Sequence, residues 1–334
     1  MTILVTGGAG FIGSHLCERL LAEGHKVICF DNFNDFYDPE LKEQNIAKAK
    51  EQHNATLVRG DICNVSLLDS LFSEQVLKQA HVSRLTIQGS KPNIVVHLAA
   101  MAGVRSSIAS PTRYVDVDIK GTVNLLEMAQ KYGVRQFIFG SSSSVYGPNG
   151  KAPFFEEDPT NFQISPYAVA KKAGELYCRT YHHLYGISIT ILRFFTIYGP
   201  RQRPDMAIRK FTELMTEKKP IPMFGDGTSE RDYTYIDDCI NGIIAAIEKP
   251  FDFEIFNIGN SSTVKLRALI DLIAERLRVD PKIEQLPEQP GDVPITYADI
   301  SKARSLLGYN PKVSLKEGIE RFVQWYSENR RRES

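Results

Sequence analysis

Residues 2–22 constrain this chain more than any other stretch. Thr2-Ile-Leu-Val-Thr6 is an apolar, β-branched run long enough for one buried strand. Gly7-Gly-Ala-Gly10-Phe-Ile-Gly13 follows at once, and Ser14-His-Leu-Cys-Glu-Arg-Leu-Leu-Ala22 reads as a helix. Strand, glycine turn and helix in that order make a phosphate cradle. Gly7 permits the tight turn, Gly10 lets backbone approach a pyrophosphate, and Gly13 lets the helix pack close to the strand. The helix start, with Phe11 and Ile12, presents unpaired N–H groups and the positive end of a dipole. Lys26-Val-Ile-Cys-Phe30 reads as a second strand that ends at Asp31-Asn32. An acid there accepts hydrogen bonds from the adenosine ribose and repels a 2′-phosphate, so the expected cofactor is NAD rather than NADP.

The pattern continues through the first half. Ala55–Arg59, Asn93–His97, Gln136–Gly140 and Ser188–Arg193 read as further strands, with helical stretches near 66–80, 118–132 and 166–185. Such alternation implies an α/β fold with a doubly wound parallel sheet of Rossmann type. Residues 32–54 form a long connection in which Pro39, at a first-turn position, starts a helix over 39–53. Residues 81–92 are polar, without periodicity, and read as a surface loop. From Phe194 onward Pro and Gly are frequent and strands short, with helices expected over 206–218 and 264–278. The expected division is 1–193 with 233–258 as the cofactor domain, and 194–232 with 259–334 as a smaller mixed α/β domain for the substrate. Binding clefts commonly form between such domains.

Lys and Arg number 40, as do Asp and Glu, so no global field favours nucleic acid or an anionic membrane. No apolar run reaches the roughly 18 residues of a membrane span. A strand beginning at Thr2 leaves no room for a signal peptide, and the expected location is cytoplasmic. Cys17, Cys29, Cys63, Cys178 and Cys239 are scattered and odd in number, which suits free thiols in a reducing compartment. The His and Cys residues lack ligand spacing, and no metal site is expected.

Tyr167-Ala-Val-Ala-Lys171 opens the helix after Ser165-Pro166, so Tyr and Lys share a helix face. A phenol is a poor base at neutral pH, because its pKa is near 10. A nearby ammonium favours the phenolate. Gly140-Ser-Ser-Ser-Ser-Val-Tyr146 places a row of hydroxyls where a preceding strand ends, at the carboxyl edge of the sheet. Hydroxyl, phenol and ammonium together suggest proton transfer.

With these residues in view, the chain resembles the extended short-chain dehydrogenase/reductases of the nucleotide-sugar epimerase and dehydratase group. The G-x-x-G-x-x-G turn, Gly60-Asp61-Ile62, His97-Leu-Ala-Ala100, the serine row, Tyr167/Lys171 and Arg231-Asp-Tyr-Thr-Tyr-Ile-Asp237 occur in the family's order, over essentially the whole length. The resemblance implies that Asp61 and Ile62 lie beside adenine and that Leu98, Ala99 and Ala100 line the cofactor. Ser142 matches the catalytic hydroxyl, Tyr167 the base, and Lys171 the residue that orients the nicotinamide ribose. Arg231 matches the residue that grips the sugar-nucleotide pyrophosphate, and Asp292 one near the uridine ribose. Helices like 118–132 and 166–185 pair two copies in this family, so a homodimer is expected. One position departs: the family's N-x-x-G-T is here Asp118-Ile-Lys-Gly-Thr122, where the Asp can still cap a helix.

Dehydratases of the group carry Asp-Glu after the catalytic hydroxyl, where this chain has Ser143 and Ser144. UDP-glucuronate decarboxylases place Glu at the second of these. UDP-glucose 4-epimerases usually have Asn where Thr196 stands. The runs Asp31–Pro39, Arg193–Ala207 and Met223–Ser229 resemble those of UDP-glucuronate 4-epimerases, although many relatives read Trp-Gly where Arg201-Gln202 stand. The expectation is therefore NAD-dependent inversion at C4 of a UDP-sugar, with UDP-glucuronate giving UDP-galacturonate. UDP-glucose 4-epimerase and UDP-glucuronate decarboxylase are the alternatives. A hexuronate brings a carboxylate, for which Thr196 and Arg203 are the expected partners.

Overall fold

The computed structural model describes residues 1–73 and 91–333. Among these residues the strands are β1 (Thr2–Thr6), β2 (Lys26–Asp31), β3 (Ala55–Arg59), β4 (Ile94–His97), β5 (Gln136–Ser142), β6 (Ser188–Phe194), β7 (Thr196–Tyr198), β8 (Ile221–Phe224), β9 (Glu230–Tyr235), β10 (Phe253–Ile258), β11 (Thr263–Lys265) and β12 (Ile283–Leu286). Seven of them form one sheet in the order β10-β6-β5-β4-β1-β2-β3, with every neighbouring pair parallel. The chain lays down β1 to β3 in one direction, then crosses back to the other side of β1 for β4 to β6. That reversal leaves a crevice at the carboxyl ends of β1 and β4, where open α/β sheets bind ligands.

Helices cover both faces of this sheet, which is why its strands read as unbroken apolar runs. Ile3 and Val5 point into one core with Val27, Val96 and Leu192. Leu4 points into the other with Ile28, Val95, Phe137 and Ile189. Helix Phe11–Ala22 seats Leu16, Cys17 and Leu20 on the first core. Helix Gly121–Tyr132 seats Leu125, Leu126 and Ala129 on the second. Two small sheets, β11-β9-β7 and β12-β8, stand beside the large one. No helix of the described residues is long and apolar enough to cross a membrane.

The expected elements appear with shifted ends. β5 runs on to Ser142 and β6 to Phe194; the later helices are Ala207–Thr216 and Leu266–Leu277. Helix Pro39–Lys50 begins at Pro39 and is capped by Asp38, whose carboxylate accepts the Glu40 amide at 2.9 Å. The helix expected over 66–80 is Val65–Phe72. Its residues from 74 onward, and 81–90 of the expected loop, lie outside the described residues.

The helix expected to start at Asp118 is a correction. Pro111, at a first-turn position, starts it earlier; it passes through a π-helical turn, Val115–Lys120, and continues as Gly121–Tyr132. Asp118 therefore lies inside the helical run and caps nothing. Its carboxylate accepts the Met101 amide instead, at 2.6 Å.

Candidate active site

The carboxyl ends of β1, β2, β4, β5 and β6 open into one cleft of about 420 Å³. Every candidate site residue named from the sequence lines it, except Asp61. Asp61 stands just behind, where its carboxylate accepts the Cys63 amide at 2.8 Å and the Asn32 side-chain amide at 3.0 Å. Burial pushes that carboxyl up, but these bonds outweigh it and hold it below the ordinary carboxylate range.

The cofactor end depends on glycine at two points. Gly7 has φ 67°, and a Cβ there would stand 2.8 Å from the Ala99 amide nitrogen. A Cβ on Gly13 would overlap the Gly7 carbonyl oxygen. No side chain caps helix Phe11–Ala22, so its first turn keeps donors for an anionic ligand. At the end of β2, buried Asp31 accepts the amides of Ala9 at 3.1 Å and Phe33 at 2.8 Å, and the Lys42 ammonium at 3.4 Å. A cradle with no room for side chains and a buried acid one strand away fit an NAD pyrophosphate and adenosine ribose.

The serine row, the phenol and the ammonium converge next. Ser142 ends β5, and its Oγ accepts the Ser144 amide at 3.1 Å and meets the Ser144 hydroxyl at 3.0 Å. Helix Pro166–Tyr185 starts at Ser165, whose hydroxyl accepts the Ala168 amide at 3.2 Å. Its first turns bring Tyr167 and Lys171 to the same cleft. Lys171 is buried and donates to the Gly140 carbonyl at 2.8 Å; its Nζ lies 6.0 Å from the centre of the Tyr167 ring. His97, at the end of β4, is no rival base. Its ring nitrogens meet the Thr6 and Thr122 hydroxyls at 2.8 and 2.9 Å, and burial, then the Lys171 charge, push it down to about 3.

A buried ion pair fixes the strand ends beneath this row. Ser141 and Arg193 are paired across β5 and β6. Arg193 donates from Nε and Nη2 to the two Glu175 oxygens at 2.9 Å each, and from Nη1 to the Tyr146 hydroxyl and the Glu156 carbonyl at 3.0 Å each. Ser141 donates to Glu175 at 2.7 Å.

The substrate end comes from the small sheets and their loops. Thr196 opens β7, and Arg231 lies on β9. The fork of Arg203 is taken in this structure by Asp205, each carboxylate oxygen receiving one N–H at 2.9 Å. The same guanidinium stands 5.8 Å from the Phe36 ring centre and within electrostatic reach of Tyr167. Arg201 turns away and holds Glu18 of helix Phe11–Ala22 at 2.7 Å. Asp292 faces Arg231 and is paired with Arg105 at 2.8 Å across the cleft mouth, where Gly291 also packs close to Val104.

Lys42, Arg105, Asp118 and Asp205 were not singled out as site residues. Asp205 carried a signal, because an acid two residues from Arg203 is within reach of its fork. Lys42 and Arg105 are placed by tertiary packing and carry none in sequence.

Comparison with known proteins agrees with this geometry. Residues 3–259 match the NAD dependent epimerase/dehydratase family. A UDP-glucuronate 4-epimerase of Thermodesulfobacterium geofontis is 42% identical over 328 residues, covering 98% of this chain and 96% of that one. The crystal structure of UDP-glucuronic acid 4-epimerase from Bacillus cereus with UDP-glucuronic acid and NAD superposes with a TM-score of 0.89 at 39% identity, covering 98% of this chain and 100% of that one. UDP-glucose 4-epimerase of Thermotoga maritima gives 0.86 at 36% identity, covering 98% and 99%. The chain belongs to the NAD dependent epimerase/dehydratase family.

Proposed function

We propose that this protein inverts C4 of UDP-glucuronate, giving UDP-galacturonate, through a 4-keto intermediate. The observation that carries the reading is the convergence of Ser142, Tyr167 and Lys171 with Thr196 and Arg203 in one cleft that begins at the glycine cradle. NAD, when bound, accepts the C4 hydride and gives it back. Tyr167 takes the C4 hydroxyl proton and later returns it. Ser142 accepts the Ser144 amide, and with the Ser144 hydroxyl acting as donor in their 3.0 Å contact its own proton steadies the sugar hydroxyl. Lys171, tied to Gly140, keeps donors for ribose hydroxyls. Arg231 holds the pyrophosphate while the flat keto sugar turns over beneath it.

The keto acid formed on the way loses CO₂ if the breaking C–C bond lies parallel to the carbonyl π system. Thr196 and Arg203 keep the carboxylate out of that alignment. The uronate takes the Arg203 fork in place of Asp205, whose carboxylate has the same planar geometry.

We infer a division of labour of 1–193 with 233–258 for NAD and 194–232 with 259–334 for the nucleotide sugar; the boundary at 232/233 falls within β9. Two copies associate through helices near 118–132 and 166–185, in the cytoplasm. Large exposed apolar residues Val169, Leu176 and Leu184 on one face of helix Pro166–Tyr185 support self-association, which sedimentation tests.

The deciding experiment is product analysis on purified protein given UDP-glucuronate without added NAD. UDP-galacturonate is expected. CO₂ with a UDP-pentose identifies a decarboxylase, turnover of UDP-glucose alone a neutral-hexose epimerase, and no conversion even with NAD overturns the reading.

A further inference from the structure

Asp118 sits on the π-helical turn, next to Val117, which lines the cleft, and is 2% exposed. Its Oδ1 accepts the Met101 amide at 2.6 Å, while Oδ2 is buried with no partner. A buried carboxyl with one bare oxygen is far easier to keep as an acid than as an anion. The groups facing it are Lys171 from helix Pro166–Tyr185 and Tyr114 from the preceding turn; His97, the neutral imidazole at the end of β4, lies beyond Thr122. Glu175, one turn along the helix from Lys171, is already engaged by Arg193, Lys172 and Ser141. Asp118 is thus a carboxyl free to answer the buried Lys171 ammonium.

We propose that Asp118 is a positioning residue that acts through Lys171. As an acid it leaves the ammonium's field to the Tyr167 phenol, and as an anion it draws that field away and slows proton exchange. The inference rests on the roles of Tyr167 and Lys171 given above. Burial pushes the Asp118 carboxyl up to about 7, with the Lys171 charge and the Met101 amide limiting the rise, so the change falls within the working range of pH. The sign follows. As pH rises through about 7, Asp118 ionises, its charge competes for the Lys171 ammonium, and turnover falls behind that of a variant that stays neutral.

The test is Asp118→Asn, which keeps an oxygen for the Met101 amide. The kcat of the NAD-loaded wild type and variant is measured on UDP-glucuronate from about pH 5.5 to 9. The two profiles should coincide in acid, and the variant should gain about three- to tenfold above neutrality, where only the wild type carries the extra negative charge beside Lys171. A variant-to-wild-type ratio that is constant with pH, or a loss at every pH, overturns the proposal. Infrared titration supplies a readout that needs no turnover. A protonated-carboxyl band should fade with a midpoint near pH 7 in the wild type and be missing from Asp118→Asn. If the band is absent from both, Asp118 is never protonated and the inference fails, whatever the enzyme's substrate. If the band behaves as stated but Tyr167→Phe retains turnover, the catalytic assignment fails, and the inference falls with it.

Discussion

Glu175→Gln removes one charge from the pair that ties the ends of β5 and β6, and its cost follows from what it leaves behind. Arg193 and Glu175 are each 2% exposed at the side chain and joined by two hydrogen bonds of 2.9 Å. Burial alone would lower Arg193, but Glu175 and Tyr146 more than compensate, so the guanidinium stays charged. The variant therefore keeps a buried cation opposite a neutral amide. Breaking a buried pair from one side costs about 3–5 kcal/mol. Gln still offers one carbonyl oxygen but cannot serve both Arg193 and Ser141 as the carboxylate does, so we expect about 3 kcal/mol. That is a large part of the roughly 5–15 kcal/mol that holds a typical domain folded. Urea unfolding at pH 7 measures it directly. The pH dependence has a definite sign. Burial raises the Glu175 carboxyl, but the bonds and charge of Arg193 outweigh this and hold it below the ordinary value. The stabilisation is present above the unfolded carboxylate value of about 4.3 and is lost as pH falls through the lower folded value. The wild-type advantage should be flat from about pH 6 to 8 and shrink in acid. A difference below about 1 kcal/mol at pH 7, with unchanged denaturant slope, refutes the reasoning.

The remaining tests concern the cleft. Tyr167→Phe should lower turnover by about 10²–10⁴-fold while the purified protein keeps its NAD, read from kinetics and bound-nucleotide analysis. Gly13→Ala forces a methyl onto the Gly7 carbonyl and should cost about 1–3 kcal/mol in thermal unfolding as well as most of the bound NAD. Arg203→Ala should raise KM for UDP-glucuronate and release UDP-pentose; epimerisation at an unchanged rate without pentose would show that Arg203 has neither role. Asp205→Ala frees the Arg203 fork and should lower that KM, whereas an unchanged KM would show that the pair does not compete with substrate.

Six of the seven strands of the large sheet were legible because each carries its own evidence; the edge strand β10, Phe253–Ile258, half of it only partly buried, was not read as a strand. Thr2–Thr6 and its glycine turn are local in sequence, and burial on both faces makes the runs continuous. The small sheets were harder to read. β7 and β11 are three-residue strands whose pairing partner, β9, lies far along the chain, so no local period reports them. The site residues that stood out belong to local motifs, such as Tyr167 and Lys171 one helical turn apart. Lys42 meets Asp31 only because helix Pro39–Lys50 folds back over β2. Asp118 illustrates a different limit. Its place in the sequence pattern was evident, but the π-helical turn that buries one oxygen without a partner exists only in three dimensions.

The bridge from Arg105 to Asp292 bears on how a ligand gets in. Its two side chains are 48% and 35% exposed, and solvent-exposed ion pairs are worth only about 0–1 kcal/mol. The two side chains lean on each other through a contact that water and salt already loosen. An arriving sugar nucleotide therefore meets, at this point, a contact that costs it little to part.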